Sequence, residues 1–251
     1  MCRSTGETMA RPKYPKIIIL NIGGGHGHFL HYSLDKFCID TPKIDTLPFN
    51  DLGNSHNNIK YSDQFVFDDG IHDAELNFKK QNIIFIDIEG EPLYFERANI
   101  HRAGDAATDL FSETAIAKFL RANGSTFPDY CESKNISLRE GYMHGFKNLE
   151  QQGSMVRNKK RLEKILSQDN NVFRYSIRNF FSLDKFKQGF GQISNHFAMP
   201  FNLDGIDELY NEFYKRNTIL QSHSKVNEYI NGNKDLQLDI LQQAYVDALE
   251  N

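Results

Sequence analysis

The stretch Lys16-Ile-Ile-Ile-Leu-Asn21, continued by Ile22-Gly-Gly-Gly-His-Gly-His-Phe-Leu30, decides the fold of this chain. Its first half is apolar, largely β-branched and without alternation, which is typical of a central parallel strand covered on both faces. Its second half is rich in glycine and leads into apolar residues at helical spacing, up to Phe37. The order of strand, glycine turn and helix predicts an α/β fold with a parallel sheet.

Other segments extend this prediction along the chain. A second apolar run, Asn82 to Ile88, predicts another buried strand, and shorter strands are predicted at Val172 to Tyr175 and around Tyr61 to Phe67. Apolar residues three and four apart predict helices at about Ala74–Lys80, Pro92–Asn99, Ala106–Arg121, Lys159–Leu166, Leu183–Phe197, Ile206–Leu220 and Leu236–Leu249. We therefore expect a flexible leader over 1–15 and one domain over 16–251, a three-layer α/β sandwich with a mostly parallel sheet and a helical C-terminal part.

Composition excludes several classes of protein. The 251 residues are 25% charged and 12% aromatic, as in a globular domain, and the net charge of -4 argues against a general nucleic-acid binder. The cysteines Cys2, Cys38 and Cys131 are odd in number and widely spaced, which favours a reducing compartment over a disulfide framework or a zinc ribbon. The apolar stretch Ile17 to Leu20 is far too short to span a bilayer. These observations predict a cytoplasmic protein with no membrane partner.

The glycines of the loop, Gly23, Gly24, Gly25 and Gly27, allow the backbone to turn sharply and approach a ligand. The following helix offers unpaired N–H groups and a positive dipole end, so we expect an anion site there. A tight turn without a ligand is the alternative interpretation. The loop lacks the Lys-Ser/Thr pair of nucleoside triphosphatases, which argues against hydrolysis of Mg-ATP.

The loop also allows two other interpretations, a cofactor loop of a dinucleotide enzyme or methyltransferase and a metal site. Dinucleotide enzymes and methyltransferases have a similar glycine spacing, but they need an acidic residue at the end of a second strand roughly 20 residues on. That stretch, Ile39 to Asp51, has acidic residues but no apolar run. A metal site at His26, His28 and His31 would need carboxylates at a recognisable spacing, which the sequence lacks. We expect no metal, and we expect His26 or His28 to contact an anion instead.

The apolar strand, the loop Gly25-His-Gly-His-Phe-Leu30 and the continuation Tyr32-Ser-Leu-Asp-Lys-Phe37 resemble the first phosphosulfate-binding loop and helix of the sulfotransferase family, especially divergent short forms from phages and marine microbes. Phe180 to Phe186 and Ile206 to Asn217 resemble the closing helices of those proteins. The resemblance implies a P-loop-like fold and 3'-phosphoadenosine 5'-phosphosulfate (PAPS) as the sulfuryl donor, with 3',5'-ADP as its product. The acceptor would be a hydroxyl on a small molecule or carbohydrate.

The resemblance also implies roles for particular residues. Residues Gly23 to Phe29 would hold the 5'-phosphosulfate, although Gly24 or Gly25 stands where the family loop has Lys or Arg. Arg102 and Ser112, which follow the second apolar strand, would bind the 3'-phosphate; a surface ion pair of Arg102 is the alternative.

Two catalytic functions have histidine candidates. His56, with His72 as the second choice, is the candidate for the base that accepts the proton of the acceptor. His26 or His28 would replace the cation that the family loop carries. A binding-only or inactive homologue and an S-adenosylmethionine-dependent methyltransferase are the alternative functions, and the oligomeric state is not predicted.

Overall fold

The structure, a computed structural model, describes residues 14–21, 26–39, 41, 64–68, 79–88, 91, 127–141, 143 and 154–250. Its strands are β1 (Ile17–Leu20), β2 (Phe65–Asp68), β3 (Asn82–Asp87) and β4 (Asn171–Ser176). Its helices are α1 (Gly27–Phe37), α2 (Phe127–Ser133), α3 (Ser154–Leu166), α4 (Leu183–Phe197), α5 (Ile206–Arg216), α6 (Thr218–Ile230) and α7 (Ile240–Glu250). A 3-10 helix occupies Ile177–Phe180.

The four strands form one parallel sheet in the order β2-β1-β3-β4. Ile18 of β1 lies between Val66 of β2 and Ile83 of β3, so the first apolar run is an inner strand, as its sequence predicts. The α/β prediction is confirmed. Because β2 lies on one side of β1 and β3 on the other, the order of the strands reverses beside β1.

Helices cover both faces of the sheet, which explains why apolar and polar residues do not alternate along β1 and β3. On one face, Ile17 and Ile19 belong to a core with residues of α1, α4 and α5. On the other face, Leu20 packs with Leu162 and Ile165 of α3. Each inner strand therefore needs apolar residues at consecutive positions.

Helix α1 lies inside the molecule, between the sheet and the C-terminal helices. Its buried apolar residues are Phe29, Leu30, Tyr32, Leu34 and Phe37. Rings from the C-terminal part cover it: the Phe29 ring stacks on that of Phe213, with centroids 3.7 Å apart and planes 4° apart. The packing of the C-terminal helices thus holds α1 against the sheet.

The C-terminal helices agree with the sequence in part. Helix α4 spans the predicted residues, and Ser182 caps it by accepting a hydrogen bond from the Lys185 amide. The single helix predicted over 206–220 is wrong: the chain leaves helical geometry at Asn217, whose side chain accepts from the Leu220 amide at 3.1 Å and begins α6. Asparagine is among the best N-cap residues, which is the physical reason for the break.

Several predicted elements cannot be compared with the structure. The helices predicted at 92–99 and 106–121, most of the one at 74–80, and the leader up to residue 13 lie outside the described residues. Among the helices that the structure describes, none has the length and apolar character needed to cross a membrane.

Two tyrosine hydroxyls in the core differ in their hydrogen bonds. The Tyr210 hydroxyl donates to the Phe180 carbonyl at 3.0 Å, whereas the Tyr175 hydroxyl has no hydrogen-bond partner within the described part of the chain. Burial raises the pKa of Tyr175 well above its usual value, with a further increase from Tyr210, and burial also raises the pKa of Tyr210. Both hydroxyls are therefore neutral near pH 7.

We expect Tyr175→Phe to leave the free energy of unfolding unchanged or to raise it, because it removes a buried polar group that makes no hydrogen bond. Tyr210→Phe is the matched control and should lower that free energy by about 1 kcal/mol, because the Phe180 carbonyl loses its donor. Urea unfolding of both variants measures the difference. If Tyr175→Phe lowered the free energy of unfolding as much as the control does, this prediction would be contradicted.

Candidate functional site

The candidate site lies at the carboxyl edge of the sheet, where β1 ends and the strand order reverses. Ligands of open parallel sheets bind outside the carboxyl ends of the strands at such a reversal. Asn21 follows β1, and His26 precedes α1. Gly23, Gly24 and Gly25, which the sequence assigns to anion binding, lie outside the described residues. The described part of the site is therefore built from the residues that flank this glycine segment.

The amino end of α1 lies on the side of this edge, because α1 follows the carboxyl end of β1 after a short glycine-rich segment. Gly27 is the first helical residue, and the first intrahelical bond runs from the Leu30 amide to the His26 carbonyl at 3.1 Å. The amides of the first turn point toward the amino end of a helix. The first turn contains no acidic residue, so nothing in it offsets the positive end of the helix dipole.

His26 has an unusual backbone and a buried ring. Its φ of 59° and ψ of 22° place it in the left-handed region, which is uncommon for a residue other than glycine. Its ring lies edge-on to Phe180 and Phe213, with centroids 5.2 and 5.3 Å away. These contacts are those of a core side chain, and they favour a structural role for the His26 ring over contact with an anion. His28, which is half-buried, is the better placed of the two histidines.

Two other side chains of α1 face the interior. The Phe29 ring is 0% exposed, so it packs in the core and only its backbone could contact a ligand. His31 Nε2 lies 3.1 Å from the Phe65 carbonyl and 3.1 Å from Asp35 Oδ2. Because both neighbours are acceptors, this nitrogen carries a proton, and His31 ties α1 to β2. In the described ranges, no three His, Cys, Asp or Glu side chains are grouped to hold a metal.

A buried arginine lies where β1 ends. Arg161 of α3 is 5% exposed, and its Nη1 donates to the Asn21 carbonyl at 3.3 Å. The Asn21 side chain is also buried, and its Oδ1 has no hydrogen-bond partner among the residues that the structure describes. A buried guanidinium therefore contacts the backbone at the start of the glycine segment.

Two ion pairs lie at the same edge: one joins β3 to β4, and the other joins Glu91, which follows β3 in the chain, to the 3-10 helix. Arg174 Nε lies 2.8 Å from Asp87 Oδ2, and Arg178 Nε lies 2.9 Å from Glu91 Oε1. Both arginine side chains are about half exposed, so water screens the pairs and they contribute little to stability. Their importance is local, because they place two further guanidinium groups along the carboxyl edge.

Comparisons with protein-family models, curated proteins and solved structures find no match to this chain. His56, His72, Arg102 and Ser112 lie outside the described residues, and their roles stay predictions.

The sequence interpretation did not select Arg161, Asp87 or Arg174. The sequence position of Asp87 could have identified it as a site residue, because it ends an apolar strand next to β1 and ligand-binding residues gather at such ends. Arg161 had a weaker one: it precedes Ile165 by one helical turn and therefore shares the buried face of α3. Arg174 had no local signal, because its place at the edge depends on the pairing of β4 with β3.

Proposed function

We propose that this chain binds an anionic nucleotide at the carboxyl edge of its sheet. The observation that carries the proposal is the direct path from the inner strand β1, through a glycine-rich segment, to the amino end of α1. Such an end binds phosphate and sulfate groups through its amides and its dipole. The absence of an acidic residue from the first turn and the presence of Arg161 beside Asn21 support an anionic ligand.

We propose further that the nucleotide is PAPS and that the chain is a sulfotransferase-like enzyme with a P-loop-like fold. The support is the resemblance of Gly25 to Phe37 to the phosphosulfate-binding loop and helix of that family. The 5'-phosphosulfate lies at the amino end of α1 in this proposal. Arg102 and Ser112 bind the 3'-phosphate, and His56 is the base.

The chemistry is the transfer of a sulfuryl group to a hydroxyl. The acceptor oxygen attacks sulfur, and the bond between sulfur and the bridging oxygen of PAPS breaks. The leaving group is 3',5'-ADP, and the hydroxyl proton passes to His56. As in phosphoryl transfer, the protein aligns the two oxygens and stabilises negative charge on the leaving phosphate. A cation near the loop is therefore required for turnover.

We expect 3',5'-ADP to stabilise the protein more than ATP or 5'-AMP does, because only 3',5'-ADP carries a 3'-phosphate for Arg102 and Ser112. At 100 times its Kd, a ligand adds about 2.7 kcal/mol of stability. For a domain of this size, that raises Tm by roughly 5–10 °C. Thermal unfolding with each nucleotide measures this, and Arg102→Ala should reduce the effect of 3',5'-ADP to that of 5'-AMP.

Other outcomes of the same screen separate the alternatives. If 3',5'-ADP and 5'-AMP raised Tm equally, a 3'-phosphate site would be excluded. A shift with S-adenosylmethionine alone would favour a methyltransferase. Binding of 3',5'-ADP, without its release from PAPS in the presence of hydroxylated acceptors, would favour a binding-only homologue.

A further inference from the structure

The side chain of Asn21 is a buried hydrogen-bond acceptor at the carboxyl end of β1. Asn21 is 5% exposed, and its Oδ1 has no hydrogen-bond partner among the residues that the structure describes. The bond that Arg161 donates goes to the backbone carbonyl of Asn21 and does not involve this oxygen. Buried polar groups without a partner are rare and cost free energy. Oδ1 therefore needs a donor that the described part of the chain does not supply.

Asn21 lies on the face of the sheet that α1 covers. Ile17 and Ile19 belong to the core that contains residues of α1, whereas Leu20 packs with residues of α3. Because side chains alternate along a strand, Asn21 continues the row of Ile17 and Ile19. The amino end of α1 lies at the same carboxyl edge, after the glycine-rich segment. We therefore place the missing donor on a molecule bound beside that amino end.

The chemistry of the Asn21 oxygen excludes the anionic group of the nucleotide as its partner. An amide oxygen only accepts hydrogen bonds, and the ionised oxygens of a phosphosulfate also only accept. A hydroxyl or an amine is needed instead. In the proposed reaction, the molecule that brings a hydroxyl to the phosphosulfate is the acceptor.

We infer that Asn21 selects acceptors with two neighbouring hydroxyls and binds the hydroxyl that is not sulfated. This inference rests on the proposed function, since it requires an acceptor beside the amino end of α1. In that reaction the attacking hydroxyl gives its single proton to His56, so it cannot also donate to Asn21. The hydrogen bond to Oδ1 comes from the adjacent hydroxyl, which keeps its proton throughout the transfer. Asn21 is thus a specificity-determining residue for a diol.

The described carboxylates of this edge are less suited to the role. Asp87 and Glu91 are held in ion pairs with Arg174 and Arg178. A carboxylate next to the phosphosulfate would also repel its negative charge, and this repulsion strengthens where water is excluded. The neutral amide of Asn21 accepts a hydrogen bond from a hydroxyl without that repulsion.

The first test uses the free protein. Asn21→Leu replaces the amide by an apolar group of similar shape, so it should leave Tm unchanged or raise it, because no hydrogen bond is lost. Asn21→Val matches the β-branched residues of β1 and carries this test if Asn21→Leu does not fold. A fall in Tm of about 5 °C or more in both variants would show that the amide is hydrogen-bonded within the free protein, and it would overturn the inference.

The second test compares vicinal trans-cyclohexanediol with cyclohexanol, which has one hydroxyl fewer. Amide NMR titration of the protein saturated with 3',5'-ADP measures the Kd of each alcohol. We expect the native chain to bind the diol about fivefold more tightly, the gain from one neutral hydrogen bond. The folded Asn21 variant should bind the two alcohols about equally and keep its affinity for 3',5'-ADP. Asn82→Leu, the same change at the opposite edge of the sheet, should keep the preference for the diol.

The outcomes of the second test separate this inference from the proposed function. If the native chain binds 3',5'-ADP without any preference for the diol, Asn21 does not bind a hydroxyl, while the nucleotide site stands. The same conclusion follows if the Asn21 variant keeps the native preference. If the native chain does not bind 3',5'-ADP, the proposed function is wrong and this inference with it.

Discussion

Phe29→Ala is expected to lower the free energy of unfolding by about 3–5 kcal/mol, the range for removal of a fully buried aromatic ring. The Phe29 ring stacks on Phe213 and lies 5.2 Å from the centroid of Phe186. These rings belong to α1, α5 and α4, so the variant opens a cavity where three elements meet. The surrounding helices can close such a cavity only in part, and the lost contacts are therefore not recovered.

Phe181→Ala is a suitable control for this prediction. Phe181 is the same residue type but only half-buried, so Phe181→Ala should lower the free energy of unfolding clearly less than Phe29→Ala does. Urea unfolding of both variants measures the difference. Phe29→Ala also distinguishes two roles of the Phe29 ring. If the ring contacted the nucleotide, the substitution would change the affinity for 3',5'-ADP and leave the free energy of unfolding nearly unchanged. A loss in Phe29→Ala no larger than in Phe181→Ala would contradict the packing described above.

Gly189→Ala is expected to lower the free energy of unfolding by roughly 1–3 kcal/mol, the range for overpacking in a core. A Cβ atom at Gly189 would lie 2.7 Å from Cε2 and 2.8 Å from the hydroxyl oxygen of Tyr175. Both distances are shorter than van der Waals contact, and the Tyr175 ring is fully buried in β4. The close approach of α4 to β4 therefore requires glycine at this position.

Gly191→Ala provides the matched control on the same helix. A Cβ atom at Gly191 would meet no atom within 4 Å, so this substitution adds helix propensity without a clash. It should raise the free energy of unfolding by up to about 1 kcal/mol. Thermal or urea unfolding of the two variants should give changes of opposite sign. Stabilisation by both substitutions would show that α4 does not approach β4 as closely as described.

Local sequence patterns predicted the inner strand β1 and the helices α1 and α4, because each depends on a pattern within one segment. A β-branched apolar run has few alternatives to a buried strand, and Phe29 to Phe37 repeat at helical spacing. The break at Asn217 was missed because apolar residues keep the same spacing on both sides of it. Only the hydrogen bond from the Leu220 amide to the Asn217 side chain identifies the new helix start.

The candidate site was less predictable, since it depends on contacts between distant segments. Glycines between a strand and a helix point to an anion at the carboxyl edge from sequence alone. Arg161 lies 140 residues from Asn21 along the chain, and only the packing of α3 on the sheet brings them together. Likewise, the position of the His26 ring beside Phe180 depends on the C-terminal helices, which no pattern near residue 26 reveals.

Amide NMR spectra recorded during a titration with 3',5'-ADP would locate the nucleotide directly. We expect the largest shifts at Asn21, Gly27 and His28, which surround the carboxyl end of β1 and the amino end of α1. Amides at the opposite edge of the sheet, such as those of Asn82 and Asn171, should change little. Shifts confined to that opposite edge, or no saturable shifts at all, would contradict a nucleotide site at the amino end of α1.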